Sequence, residues 1–405
     1  MRRFLPLFIA LAGCGGGSSG DRVTERDSTI TFRGASLTLH IVENPATPAA
    51  DEPEWRLDDT PELDIVGEGV GTQALFRVGG AVRLADGRII VADGGSTRLR
   101  VFDAAGREGP PIGRSGEGPG EFRDFSYLGH LPGDSIVVAD FRLARISVFD
   151  AAGRLRREAR WGATPESPRS SIIGVFADGS LLSRGFVAVE TPPPRGLRRY
   201  PSTYYHLAAD GTLADTLGDY AGSETYFVPI DRGFQVENGR FQKTSWFVAA
   251  GDRFHVAQSE RYEVRVFRSD GTPLLSIRRE HQARPIQSAD IAAERLARLE
   301  PVIDDEQRVS MDRVLSEMPV PDIMPAFDRI AVDDELNVWV RDYRPAWETG
   351  SDTWTVFAPN GRRTAQLEMP RGLEPTHIGS DFLLGTRKDD DEAEHVLLYS
   401  IRKPE

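Results

Sequence analysis

The chain has 405 residues, a formal net charge of −13, 40 glycines and 27 prolines. The acidic balance argues against a nucleic-acid partner, because phosphate binding needs a basic face. The only cysteine is Cys14, so a disulfide-stapled core and a cysteine nucleophile in the folded part are both excluded.

The chain opens on a positive stretch, Met1-Arg2-Arg3, and an apolar run over residues 4–12 that is too short to span a bilayer as a helix. Leu11-Ala12-Gly13-Cys14 follows, then Gly-Gly-Gly-Ser-Ser-Gly. Small residues before a cysteine, followed by a flexible tether, resemble the bacterial lipoprotein signal. The resemblance implies removal of residues 1–13, lipid modification of Cys14, and export to a membrane. The residue after Cys14 is Gly rather than Asp, which in such lipoproteins implies the outer membrane, facing the periplasm or the cell surface. The competing reading is an ordinary secretory signal whose cleavage site includes Cys14. Residues 14–54 then form a tether and N-terminal extension, and residues 55–405 the folded domain.

Inside that domain a unit repeats. Phe-Asp-Ala-Ala-Gly stands at 102–106 and again at 149–153, each nine residues after the Asp of a Val-Ala-Asp, Asp93 and Asp140. Diverged copies end at Gly211, Gly271 and Gly361. Each unit reads as four short strands, with Asp-Gly and related pairs supplying the positive φ that two-residue hairpins need. Short strands recurring about every 40–50 residues are the signature of a β-propeller. The first unit starts near Ala81. The next begin near Ser126, Ile172, Ser245, Phe327 and Thr376, and the sixth stops before its outermost strand. Residues 61–67 resemble such a strand, so they are expected to complete the last blade and close the ring.

Gly116-Glu-Gly-Pro-Gly-Glu-Phe122, then a strand, Val-Ala-Asp and Val-Phe-Asp-x-x-Gly, resemble the NHL-repeat family of propellers. They resemble still more the six-bladed propeller lipoproteins of bacteria. The resemblance covers about residues 55–403 and implies an all-β, six-bladed β-propeller of four-stranded blades. The glycine run is no phosphate loop, since a strand and not a helix follows and no lysine is present. Blade three departs from the pattern at Leu182-Ser183-Arg184 and at an excursion starting Thr191-Pro-Pro-Pro194. Blade four carries Gln258 and blade five Asp342 at the Asp position. Residues 287–320 change to helical spacing, with Ile291, Leu296, Leu299, Val302, Val309, Val314 and Leu315 as the apolar set and Ser288 as N-cap. This insert between blades four and five is expected either to lid the central opening or to pad the blade edges.

Three function classes fit a propeller: a binding scaffold, a metal-dependent hydrolase or lyase, and a structural envelope component. A lactonase-like calcium site would draw on carboxylates and asparagines, and asparagine occurs only four times. A zinc site would need three histidines in register. His130, His206, His255 and His377 do not repeat in register and read as isolated. The acidic runs at 333–335 and 389–392 read as solvated hairpin tips. No cofactor is therefore expected, although a divalent cation in the central channel is compatible with the fold. The repeated Asp93, Asp140 and Asp342 and the turn glycines Gly106, Gly153, Gly211, Gly271 and Gly361 are assigned structural roles, the carboxylates capping the next loop. Arg341, Tyr343, Arg344 and Trp347, with Arg83 and His130, form the candidate binding surface, because exposed Trp, Tyr and Arg anchor interfaces. The expected activity is binding of an envelope protein or a small ligand by a membrane-anchored scaffold, with the metal-dependent enzyme as the alternative.

Overall fold

In the computed structural model, residues 22–49, 52–66, 74–164, 167, 169–186, 193–230 and 233–404 are described. Cys14, the signal segment and Gly67 lie outside them. Six blade sheets, each with an antiparallel core, follow one another along the chain, and the fold is a six-bladed β-propeller. The blades start at Val78–Arg83, Phe125–Leu131, Ser170–Val175, Ser245–Ala250, Phe327–Val332 and Glu374–Ile378. Six apolar clusters link neighbouring blades. In one, Val82, Ile90 and Leu99 of blade one meet Phe122, Ile136 and Phe149 on the blade-two side. In the cluster that completes the circle, Leu384, Val396 and Leu398 of blade six meet Ala81, Ile89 and Val91 of blade one. The second strands are buried nearly throughout, as in Ile89–Asp93, because each is covered on both faces by the adjacent blades.

The repeated pentapeptide ends the third strand and turns into the fourth. It is a four-residue turn and not the two-residue hairpin the pattern suggested. The Gly106 N–H donates to the Asp103 carbonyl at 2.9 Å, and Asp103 Oδ1 accepts from the Ala105 and Arg107 N–H groups. Gly153 and Asp150 repeat the arrangement. The glycines are left-handed (φ 76° at Gly106, 77° at Gly153), a region that costs L residues. The ladder slips by one residue beside the turn, between Val148 and Phe149 and again between Val266 and Phe267. A type I turn with a glycine bulge relieves the strand twist in this way.

Three blades depart from four strands among the described residues, blade six because two short segments share its outer edge. Blade one pairs three strands, and its fourth is reduced to the bridges Leu99–Ile112 and Phe102–Glu108. Blade four has six, because the N-terminal extension folds into a hairpin, Thr24–Phe32 and Ala35–Asn44, whose second strand runs parallel to Pro273–Arg279. Past the hairpin the chain crosses blade five, where Glu54 bridges Gln366. It reaches blade six, where Arg56–Leu57 and Leu63–Ile65 both pair with Glu394–Arg402. Residues 22–49 and 52–66 thus form a belt around blades four, five and six. Buried Asn44 fastens it: its side-chain amide donates to the Arg278 and Gly361 carbonyls at 2.9 Å and accepts the Arg363 N–H at 2.8 Å.

His395 sits where the closing strand joins blade six. Its Nδ1 is 2.7 Å from Asp64 Oδ1 and its Nε2 is 3.2 Å from Asp389 Oδ2. A neutral imidazole carries one N–H, so only the protonated ring donates to both carboxylates. Partial burial pulls its pKa down, but the bonds to Asp64 and Asp389 outweigh that and raise it above the ordinary histidine value. A pKa raised on folding gives stability that is full below the unfolded value and lost as pH rises through the folded one. The urea midpoint should therefore fall from about pH 6.5 up through the raised pKa, and His395→Gln should remove that step. A wild-type profile with the same step in the variant would refute the assignment.

Candidate functional sites on the two faces of the ring

Antiparallel blades sort their connections onto two faces. The first-to-second and third-to-fourth turns emerge on one, here termed the turn face. The second-to-third loops and the connections between blades emerge on the other, the loop face.

On the turn face, His130 of blade two and His377 of blade six meet, with ring centroids 4.4 Å apart. Asp334, from the first turn of blade five, joins them, and the ligating atoms of the three lie within 4.8 Å of one another. These histidines are therefore not isolated: the ring brings blades two, five and six together at its mouth. His377 is buried. Its Nδ1 accepts the Arg83 backbone N–H at 3.0 Å, and its Nε2 is 3.0 Å from Asp334 Oδ2. A ring nitrogen that accepts has no proton, so the neutral ring carries its hydrogen on Nε2 and donates it to Asp334. Burial alone would raise the Asp334 pKa, but this bond, with a smaller electrostatic pull from the His377 and His130 rings, holds it below the usual carboxylate range. Burial, and then the neighbouring His377, lower the pKa of His130. Arg83 lies with its guanidinium 4.6 Å over the Phe382 ring, which meets His377 edge-on.

Sequence reasoning missed this grouping because His130 and His377 occupy different positions within their blades. The acidic run at 333–335 also departs from a solvated tip. Asp333 is buried and accepts from the Asn337 side chain at 2.8 Å and from Trp339 Nε1 at 2.9 Å.

The loop face carries the insertions. The helical segment forms α1 (Ser288–Leu299) and α2 (Asp305–Glu317). Gln287, one residue earlier than expected, is the N-cap of α1 in a capping box with Asp290, and Asp304 caps α2 through the Gln307 N–H. A second insertion, unanticipated from the sequence, joins blades three and four. It is a hairpin of Thr225–Ile230 and Gly233–Asn238, extended by Gly196–Arg198 from the blade-three excursion. Tyr226 and Val228 of the hairpin pack on Val314, Leu315 and Met318 of the helical insert. Buried Arg240 ties the two through Glu294 at 2.8 Å and the Ile291 carbonyl. The helices therefore pad a neighbouring insert and form one module with it.

Leu296 and Val309, expected on the apolar side of the helices, point to solvent. So does Ile303, which is 96% exposed. Nine large hydrophobic side chains are exposed among the described residues, and all but Leu213 lie on loop-face segments: Phe76, Phe186, Ile230, Phe234, Val236, Leu296, Ile303 and Val309. Six of the eight stand on the two inserts: Ile230, Phe234 and Val236 on the hairpin, and Leu296, Ile303 and Val309 on the helical segment.

The candidate surface read from the sequence divides between the faces. Arg83 and His130 belong to the turn face, and Arg341, Tyr343, Arg344 and Trp347 to the loop face. The latter are not free anchors. Arg341 is largely buried between Asp328 at 2.6 Å and Glu374 at 2.8 Å and lies over Trp354. Burial raises the Asp328 pKa to about 6 despite that partner. Trp347 packs edge-on against Phe241, and Arg344 bonds the Ser351 carbonyl. Trp354 is fully buried between blades five and six.

Of the repeated carboxylates, Asp93 accepts from the Phe76 and Gly95 N–H groups and Ser96, and Asp140 from the Arg123, Asp124 and Leu143 N–H groups. Asp342 differs. It takes Tyr262 Oη and Arg279 Nη2, each at 2.9 Å, and so locks blade five to blade four instead of capping its own loop.

Residues 71–164 match a family model described as a 6-bladed beta-propeller. No curated protein matches the sequence. Among solved structures the chain is similar to a protein described as exported, from Bacteroides fragilis, at 13% identity and a TM-score of 0.47, over 90% of this chain and 100% of that one. It is also similar to a member of the duf4221 family from Bacteroides vulgatus, at 11% and 0.47, over 87% and 99%. A third is the calcium-binding protein regucalcin from Agrobacterium tumefaciens, at 14% and 0.36, over 88% and 96%.

Proposed function

We propose that this six-bladed propeller is an exported, lipid-anchored scaffold of the cell envelope that binds a partner protein through its loop face. The observation that carries the reading is the gathering on that face of eight of the nine exposed large hydrophobic residues among the described residues, most of them on the module of inserts outside the blades. The N-terminal belt supports it. Ala35–Asn44 runs parallel to the outermost strand of blade four, so Asn44 and Thr24 both lie at the loop-face end of the hairpin. Cys14 is ten residues before Thr24, a reach of at most about 35 Å. A lipid on Cys14 therefore keeps the insert-bearing face near the membrane, where envelope partners are met.

The test uses the full chain in its own envelope. Cys14→Ser should move the protein from the membrane to the soluble fraction. Leu296→Glu/Ile303→Glu/Val309→Glu, at exposed positions, should weaken capture of its envelope partner at least about tenfold, the loss of two or more interface anchors, with an unchanged melting curve. Leu213→Glu on the other side should leave capture intact. Equal capture by all three proteins would overturn the loop-face reading, and unchanged fractionation would overturn the anchor.

The second reading, a divalent cation at the turn face with or without hydrolytic activity, is favoured by the convergence of His130, Asp334 and His377. Two imidazoles and a carboxylate suit a zinc-like ion better than calcium. Against it stands the Arg83 N–H on His377 Nδ1: a metal on Nε2 needs the ring proton on Nδ1, so that bond must first break. Native mass spectrometry of the protein titrated with zinc decides the matter. One ion bound by the wild type and none by His130→Ala would establish the site.

A further inference from the structure

We propose that two copies of this chain pair through the free edge of strand Gly233–Asn238. That strand pairs with Thr225–Ile230 on one side and with no strand of the described residues on the other. Exposed sheet edges template association unless they are guarded by charge, proline, shortness or a cover.

Five other edges among the described residues are guarded. Leu155–Arg160 carries three arginines and a glutamate, and Leu213–Ala221 two aspartates. Thr24–Phe32 carries Glu25, Arg26 and Asp27. Arg363–Met369 is crossed by Glu54 of the belt. Gly196–Arg198, the opposite edge of the same small sheet, is three residues long. Gly233–Asn238 has six residues and no proline, and its one cover is the Arg298 guanidinium on the Asn238 carbonyl at 2.9 Å, at the end of the strand. Its one charge, Glu237, is bonded to Gln235 at 2.8 Å.

The register on Thr225–Ile230 sets the faces. Gln235 and Glu237 stand opposite Val228 and Tyr226, on the helix side. Phe234 and Val236 stand opposite Pro229 and Phe227 on the other side, and both are exposed. An antiparallel pairing of two such strands about a two-fold axis at Gln235 is self-complementary. Phe234 then faces Val236 of the second copy and Val236 faces its Phe234, a stripe of four apolar side chains on one side. Glu237 faces Gly233, so no like charges are opposed, and Gln235 faces Gln235. Apolar cross-strand pairs of this kind stabilise an antiparallel ladder, and opposed like charges would weaken it. The result is a continuous six-stranded sheet with an isologous interface. A five-residue ladder with two apolar cross-strand pairs is smaller than the about 1,200 Å² at which standard interfaces begin. The dimer is accordingly weak in free solution and favoured where copies are concentrated.

The test is a cysteine at the axis. Facing positions on antiparallel strands have Cα atoms about 4.5–5.5 Å apart, within disulfide reach. Gln235→Cys in the full chain, expressed in its own envelope and oxidised mildly, should give a band of twice the mass on a non-reducing gel. Adding Val236→Lys, at an exposed position, should cut that band at least tenfold while the melting curve stays unchanged. Leu213→Cys, exposed on the other side of the ring, should give background only. A Gln235→Cys band no stronger than that of Leu213→Cys, or a cross-linked product of another mass, overturns self-pairing. The dimer band does not depend on partner capture, so this result stands or falls apart from the loop-face reading.

Discussion

Replacing Arg363 with alanine is expected to lower the unfolding free energy by about 3–5 kcal/mol, the usual cost of removing one partner of a buried ion pair. The Arg363 side chain is 2% exposed and pairs with Glu52 at 2.8 Å. It also donates to the Pro45, Ala46 and Thr47 carbonyls. Every one of these partners belongs to the belt, while Arg363 belongs to the outer strand of blade five. Alanine leaves a buried carboxylate and three carbonyls without their donor, and burying such groups unpaired is what costs. The belt should then detach from blade five, exposing residues 44–57 to protease. The double variant Arg363→Met/Glu52→Gln removes both charges and should recover most of the loss. Urea denaturation measures each free energy. A single-variant loss below about 1 kcal/mol, the scale of a surface pair, would show that the ion pair does not hold the belt.

Ile65→Ala should cost about 2–5 kcal/mol, the range for emptying a packed aliphatic site. Ile65 is 4% exposed, pairs with Val396, and packs in the cluster that joins blade six to blade one. Its strand is the piece of chain that closes the circle, so the loss has a location as well as a size. Amide exchange should accelerate first in blades six and one and last in blades three and four. Acceleration spread evenly around the ring would mean that closure is not carried by this strand.

The blade pattern was legible because it is local. Phe-Asp-Ala-Ala-Gly makes its own turn: the Asp side chain, two N–H groups and a left-handed glycine all lie within five residues. The closing strand could be placed by elimination, since a ring with an unpaired strand at one end needs its complement at the other. The N-terminal hairpin could not be placed in this way. Thr24–Phe32 is mostly polar and charged along an exposed edge, and the hairpin's place depends on Ala35–Asn44 pairing with Pro273–Arg279, far along the chain. The second insertion lacks the repeat motif, and its burial comes from helices that follow it by more than fifty residues. The arginine and aromatic group of blade five misled for a related reason. Residue type suggests an interface anchor, but whether Arg341 meets solvent or Asp328 is decided by the neighbouring strands.

The sequence by itself determined the repeating four-stranded unit, the count of six and the helical character of residues 287–320. Each rests on hydrogen bonds and apolar periodicity spanning a few residues. Only the tertiary structure decided which faces the insertions share and where the exposed apolar residues gather. It alone brought His130, His377 and Asp334 to one mouth of the ring. Closing a ring makes neighbours of residues from blades two, five and six, and no local pattern encodes that juxtaposition, because it arises from the sum of six blade-to-blade packings.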